Sequence, residues 1–295
     1  MIKKTYMLIR VILLSFILCA SAAANGRVET VQFRSKLVNA TLPYNVILPT
    51  DYDTARTTRY PVLYLLHGLT GHFSDWVTRT NIANYASEYR MIIITPEGND
   101  SWYVDEYEAY ILDELIPEVQ KRYRTIEARH GRSIAGLSMG GYGAIKFGLK
   151  WRAVFVFAGS MSGAFSVTRL SEEQMREARW GDSLKLFGAA GSEKRLGDDL
   201  FALIEKIPPA RANALPYFYF DCGTEDSPLI FLSNRELATF MVEKKIPHEF
   251  RQLPGDHSWV YWDRQVQEVL KIAASKMRVR PAKGSTWHRL RTSRA

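Results

Sequence analysis

Cysteine is nearly absent from this 295-residue chain, which contains only Cys19 and Cys222. Cys19 lies in a segment expected to be removed, so the mature protein has no pair from which to form an internal disulfide. No metal or organic cofactor is expected either, because no His or Cys cluster has metal-ligand spacing and neither a phosphate-binding loop nor a dinucleotide fingerprint is present. Internal repeats and low-complexity tracts are missing as well. Long apolar runs are also lacking. Residues 11–19 (VILLSFILC) fall well short of the roughly 20 residues that a membrane-spanning helix needs.

Acidic residues are missing from both ends, and this explains a misleading net charge. The formal charge is +8, yet residues 1–10 supply +3 and residues 276–295 supply +7, which leaves −2 for everything between. The body is nearly neutral, so nucleic acid is not an expected partner. Lys3, Lys4 and Arg10 precede the short apolar run, and residues 20–24 (ASAAA) follow it with small side chains. This is the pattern of a secretory signal over residues 1–24, with cleavage near residues 22–24, and it predicts an exported protein, periplasmic or secreted. A retained membrane anchor is the alternative, but no stable insertion is expected after cleavage. The basic segment 276–295 lacks apolar periodicity and is predicted to be a disordered tail.

The remaining residues, 25–275, have the size and apolar content of a single α/β domain. Strand-like runs occur at 28–38, 41–48, 61–67, 91–96, 132–136, 153–158, 216–221 and 248–253. Helix-like runs occur at 105–123, 141–150, 229–245 and 259–276. The first two strands suggest an antiparallel hairpin. The later ones alternate with helices, as in a mostly parallel, doubly wound sheet. Residues 162–213 are polar and irregular and read as a small cap-like excursion on the domain.

Chemistry concentrates in three loops that follow strands. Residues 136–141 (GLSMGG) place Ser138 in a glycine-flanked turn between a strand and a helix, where its hydroxyl would stand exposed. Residues 67–71 (HGLTG) end a buried-strand pattern, with His67 read as a structural imidazole under the loop. Asp226 follows the strand pattern 216–222, and His257 follows 248–253. A serine hydroxyl needs a base, and the base needs a carboxylate to fix its tautomer. Ser138, Asp226 and His257 supply these in the chain order of an α/β-hydrolase. Asp221 is the runner-up for the carboxylate, with Glu225 and Asp256 also nearby.

With HGLTG (67–71), SWY (101–103), YILDELIPEV (110–119), AGLSMGGYGA (135–144), DCGTED (221–226) and GDHSWVYW (255–262), the chain resembles the esterase D-like serine esterases of the α/β-hydrolase superfamily. That family includes S-formylglutathione hydrolases, tributyrin-type esterases, feruloyl esterases and secreted mycolyltransferases. The resemblance implies an α/β-hydrolase fold with Ser138 as nucleophile and Asp226 and His257 as its partners. It also implies the Leu69 and Met139 N–H groups as oxyanion donors, and Trp102 near the acyl pocket. The expected activity is hydrolysis of short-chain or small aromatic acyl esters, with a small-molecule ester as the partner. Acyl transfer of the mycolyltransferase type is one alternative. An S-formylglutathione hydrolase-like thioesterase is another, although the long insertion of glutathione-dependent members is not evident between Asn99 and Tyr103. A non-catalytic binding module on the same fold is the remote one.

Overall fold

Residues 26–178, 180 and 183–277 are described by a computed structural model of the chain. The expected signal segment lies outside them, as does the tail from residue 278 onward. Eight strands form one sheet: β1 (Arg27–Val31), β2 (Tyr44–Leu48), β3 (Val62–Leu66), β4 (Ile92–Pro96), β5 (Arg132–Leu137), β6 (Phe157–Met161), β7 (Tyr217–Gly223) and β8 (His248–Leu253). Their order is β1-β2-β4-β3-β5-β6-β7-β8. The β1/β2 and β2/β4 pairs are antiparallel and the remaining pairs are parallel. Every residue of β2 through β6 is buried, the pattern of strands covered by helices on both faces.

Alternation along the strands separates two cores. Val46, Tyr64, Leu66, Ile92, Ile94 and Ile134 face one, and Ile47, Leu63, Leu65, Ile93 and Ala135 face the other. The helices, in chain order, are α1 (Asp75–Arg79), α2 (Ile82–Ala86), α3 (Glu106–Ala109), α4 (Ile116–Arg122), α5 (Ser138–Lys150), α6 (Glu172–Glu177), α7 (Ser183–Phe187), α8 (Glu193–Asp198), α9 (Leu200–Glu205), α10 (Pro228–Glu243) and α11 (Trp259–Lys276). Along α11, the apolar stripe Trp262, Val266, Val269, Leu270 and Ala273 is buried in the second core. No helix among the described residues is long and apolar enough to cross a membrane.

Several boundaries differ from the expected ones, each for a local reason. The first strand ends at Val31 because Glu114 gathers the following turn, accepting from Ser35 Oγ at 2.5 Å, Lys36 N–H at 2.9 Å and Leu37 N–H at 3.3 Å. The helix expected over 105–123 is interrupted by π-helical turns over Tyr110–Leu115. Pro117 lacks an N–H and would crowd the carbonyl four residues back, so the wider turn relieves it. Strand β6 runs to Met161 rather than stopping at residue 158. Its small residues Gly159 and Ser160 give little hydrophobic signal, but a Cβ at Gly141 of α5 would overlap Ser160 Oγ. The segment between β6 and β7 is not irregular, since α6 to α9 lie in it. These helices of five or six residues are too short to stand alone and depend on tertiary packing. The folded body also extends past Ser275, with Lys276 closing α11 and Met277 buried in the second core.

Lys146, on the inner side of α5, is completely buried. Its ammonium donates to the Tyr103 carbonyl at 2.7 Å and pairs with Glu108 at 2.8 Å and Asp198 at 3.3 Å. Lys150 shares the same two carboxylates at 2.9 and 3.4 Å. Tyr142 OH adds a bond to the Asp198 carbonyl at 2.7 Å. Helix α5 is thereby tied both to α3 and to the β6–β7 segment.

Candidate active site

Ser138 stands between the last residue of β5 and the body of α5, with φ +51°. A left-handed conformation at a residue with a side chain costs about 1–3 kcal/mol and persists only where the surroundings enforce it. Here close packing enforces it. A Cβ at Gly136 would overlap the Gly140 backbone, and one at Gly140 would overlap the carbonyl oxygens of Leu66 and His67. The first turn of α5 therefore rests directly on the end of β3. The partial positive charge of a helix N-terminus lies beneath the serine.

The loops after β7 and β8 meet in the same way. A Cβ at Gly223 would overlap the Gly255 carbonyl. Thr224 N–H donates to Leu253 O at 2.8 Å, and Glu225 N–H donates to Gly255 O at 2.9 Å. This zipper sets Asp226 beside His257. His257 Nε2 lies 3.0 Å from Ser138 Oγ, and Nδ1 lies 2.9 Å from Asp226 Oδ2. The other Asp226 oxygen accepts from Ser227 N–H at 2.7 Å. The Asp226 side chain is fully buried, whereas the imidazole is one-third exposed. Such an arrangement can accept a proton from the serine and return it to a leaving group.

The competing carboxylates are held elsewhere. Asp221 is buried and accepts from Tyr261 OH at 2.8 Å. Burial pushes its carboxyl up to about 7, against the opposing hydrogen bond from Tyr261. Glu225 and Asp256 are exposed. Asp221 sits within β7, whereas Glu225, Asp226 and Asp256 lie in the loops that follow β7 and β8.

On the other side of the serine, residues 67–71 form a loop against α5. His67 is buried, with Nδ1 at 2.8 Å from Gly68 O. Its Nε2 lies 2.9 Å from Gly98 N and 3.2 Å from Glu97 Oε1. Neither Leu69 N–H nor Met139 N–H has a hydrogen-bond partner among the described residues. Two such donors flanking a serine can stabilise an oxyanion. The serine opens on a cavity of about 810 Å³ lined by Leu69, Arg79, Trp180, Leu229, Ile230, His257, Trp259 and Trp262, among others.

The Esterase family model matches residues 35–272, most of the chain. The chain belongs to the esterase D-like family. It is a serine hydrolase acting on carboxylic esters. An acetyl esterase of Caldicellulosiruptor saccharolyticus is 26% identical over 257 residues, covering 82% of this chain and 96% of that protein. A ferulic acid esterase structure superposes with a TM-score of 0.71 at 25% identity, over 86% of this chain and 100% of the other. FphF, a fluorophosphonate-binding serine hydrolase of Staphylococcus aureus in substrate-bound form, gives 0.74 at 25% identity, over 85% and 99%.

Trp102 does not line the cavity of this esterase. It is completely buried, donates its indole N–H to Ser183 Oγ at 2.6 Å, and meets Trp180 edge-on at 5.3 Å between ring centroids. Trp180 is the ring that reaches the cavity, and Trp102 backs it. Nothing in the sequence singled out Trp180, because its placement depends on how α6 and α7 pack. Trp259 and Trp262 belong to the GDHSWVYW motif, in which the spacing marks Trp262 as part of the apolar stripe of the last helix. Trp262 sits edge-on to His257 at 4.9 Å, and Trp259 sits edge-on to Trp262 at 5.2 Å.

Glu97 beneath the loop is the most perturbed carboxylate on this side. Burial alone would raise it, but the His67 imidazole and the N–H groups of Asn99 and Phe73 outweigh burial and hold it at about 2. Its folded value lies below the unfolded one, so its stabilisation is complete above the ordinary 4.5 and is lost as pH falls toward 2. The shift corresponds to roughly 3 kcal/mol. Glu97→Gln is expected to lower the urea midpoint at pH 6 and to lower it much less at pH 3. An equal deficit at both values is the result that removes this account.

Proposed function

We propose that this esterase is an exported serine carboxylesterase that hydrolyses short-chain or small aromatic acyl esters through an acyl-enzyme. In this reading Ser138 attacks the ester carbonyl while His257 takes its proton. Asp226 holds the imidazole in the required tautomer and stabilises its charged form. The N–H groups of Leu69 and Met139 receive the developing oxyanion. Collapse of the tetrahedral intermediate transfers the proton from His257 to the departing alcohol, and a water then repeats the sequence to release the acid. The observation that carries the reading is the unbroken chain Ser138 Oγ to His257 Nε2 to Asp226, at 3.0 and 2.9 Å.

The cavity supports the substrate class. Trp180, Trp259, Trp262, Leu229 and Ile230 offer flat and aliphatic surface, suited to an acetyl, butyryl or cinnamoyl-sized acyl group. The names of the acetyl esterase and ferulic acid esterase relatives agree with both ends of that range. Export is supported by the basic, apolar and small-residue succession over residues 1–24.

The test is a nitrophenyl ester series from acetate to decanoate, with a feruloyl ester and an acetylated sugar alongside, using enzyme recovered from the exported fraction. We expect kcat/KM to peak at two to about four acyl carbons or on the feruloyl ester, and the recovered N-terminus to lie near residues 22–25. A steady rise toward decanoate, or faster acyl transfer to an added alcohol than to water, would count against this substrate and acceptor. Activity confined to the cytosol with an intact N-terminus would count against export.

A further inference from the structure

The direction of the Leu69 N–H depends on how its loop is held, and the loop contains a strained residue. Thr70 has φ +60°, an outlying conformation for a β-branched side chain. The peptide before Leu69 is fixed through its carbonyl, since Gly68 O lies 2.8 Å from His67 Nδ1 and accepts Gly71 N–H at 3.0 Å. The peptide after Leu69 is fixed through its N–H, which Thr70 donates to Asp100 Oδ1 at 2.6 Å. In a trans peptide the carbonyl and N–H point in opposite directions. With the Gly68 carbonyl engaged on one side, the Leu69 N–H on the other side of that peptide is left without a partner among the described residues, beside the cavity that Leu69 and Ser138 both line.

Asp100 is itself held in an unusual loop. Asn99, Trp102, Tyr103 and Asp105 all have positive φ, between +44° and +54°. Asn99 N–H donates to Glu97 at 2.9 Å, Lys146 donates to the Tyr103 carbonyl at 2.7 Å, and Tyr103 OH donates to His67 O at 3.2 Å. Four unfavourable backbone conformations in seven residues present one carboxylate to one N–H of the neighbouring loop. A charged acceptor forms a stronger bond than a neutral one, and it offsets the strain at Thr70.

We propose that Asp100 is a positioning residue for the oxyanion hole: by holding Thr70 in the left-handed conformation it aims the Leu69 N–H at the reacting carbonyl. This rests on the reading of Leu69 N–H as an oxyanion donor. An interaction of this kind strengthens only as the oxyanion forms, so its loss lowers kcat and leaves KM nearly unchanged.

The experiment compares Asp100→Leu, Asp100→Asn and Thr70→Gly with the double variant T70G/D100L on nitrophenyl acetate. Deleting one oxyanion donor costs about 10²–10³-fold in kcat, and misaiming one is expected to cost about 10–100-fold in Asp100→Leu with KM within about threefold. Asp100→Asn keeps an acceptor oxygen and is expected to recover to within about threefold of wild type. Glycine adopts φ +60° without strain, so in the Thr70→Gly background the leucine change is expected to cost less than about fivefold. Asp100→Ala repeats the measurement if the leucine variant does not fold. The proposal is overturned by an Asp100→Leu enzyme within about twofold of wild type, by a loss confined to KM, by an asparagine variant as damaged as the leucine one, or by the same loss in the glycine background. A wild type without turnover would overturn the hydrolytic reading, and this proposal with it.

Discussion

Ser138→Ala is expected to abolish turnover while leaving the fold intact. The loss in kcat should be on the order of 10⁶-fold, the scale seen when the nucleophile of a serine protease is removed. The hydroxyl lines the cavity, and its hydrogen-bond partner among the described residues is His257 Nε2, so alanine sacrifices little packing. The left-handed backbone at this position is imposed by Gly136 and Gly140 and does not depend on the side-chain oxygen. Thermal midpoints of the two proteins should therefore agree within a few degrees. A fluorophosphonate should label wild type at Ser138 alone and leave the variant untouched. Turnover retained by the alanine protein, or label found on another serine, would remove Ser138 from the role proposed for it.

Asp226→Asn is expected to cost about 10⁴-fold in kcat, because an amide beside Nδ1 favours the tautomer with its proton on Nε2, where it cannot accept from serine. The comparison with Asp221→Asn makes the prediction sharp. Asp221 bonds to Tyr261, and burial raises its carboxyl to about 7. Asparagine keeps an oxygen that can accept from Tyr261 and has nearly the shape of the carboxyl. That substitution should lower kcat by less than about tenfold. The reverse ranking would transfer the orienting role to Asp221.

Much of this was legible in the residues, and the exceptions are instructive. β3 and β4 read as largely apolar runs because both faces of the sheet are covered. α11 was visible end to end because Trp262, Val266, Val269, Leu270 and Ala273 repeat at helical spacing along one buried stripe. Ser138, Asp226 and His257 were recognisable because each follows a strand at the same edge of the sheet. Three things were hidden. Helices α6 to α9 are too short for periodicity to show. Trp102 carries a family motif, but its ring points into the core behind Trp180, and a motif does not encode which of two neighbouring rings faces a cavity. The partnership of Thr70 with Asp100 joins residues 30 positions apart through left-handed backbone, for which neither residue type gives a signal.

The buried ammonium of Lys146 has a consequence for any attempt to shorten this enzyme. Two lysines, 146 and 150, face two carboxylates, Glu108 and Asp198, and only Asp198 belongs to the segment between β6 and β7. Exchanging that segment for a loop that lacks the carboxylate would leave two positive charges on α5 against one negative charge. Lys146 would keep Glu108 and the Tyr103 carbonyl but lose Asp198, and breaking a buried ion pair costs up to about 3–5 kcal/mol, a large part of the stability of an ordinary domain. The segment is therefore a poor candidate for modular exchange unless Lys146 is replaced at the same time by an apolar side chain of similar volume. A graft that alters substrate preference would have to carry its own counter-ion for the helix beneath it.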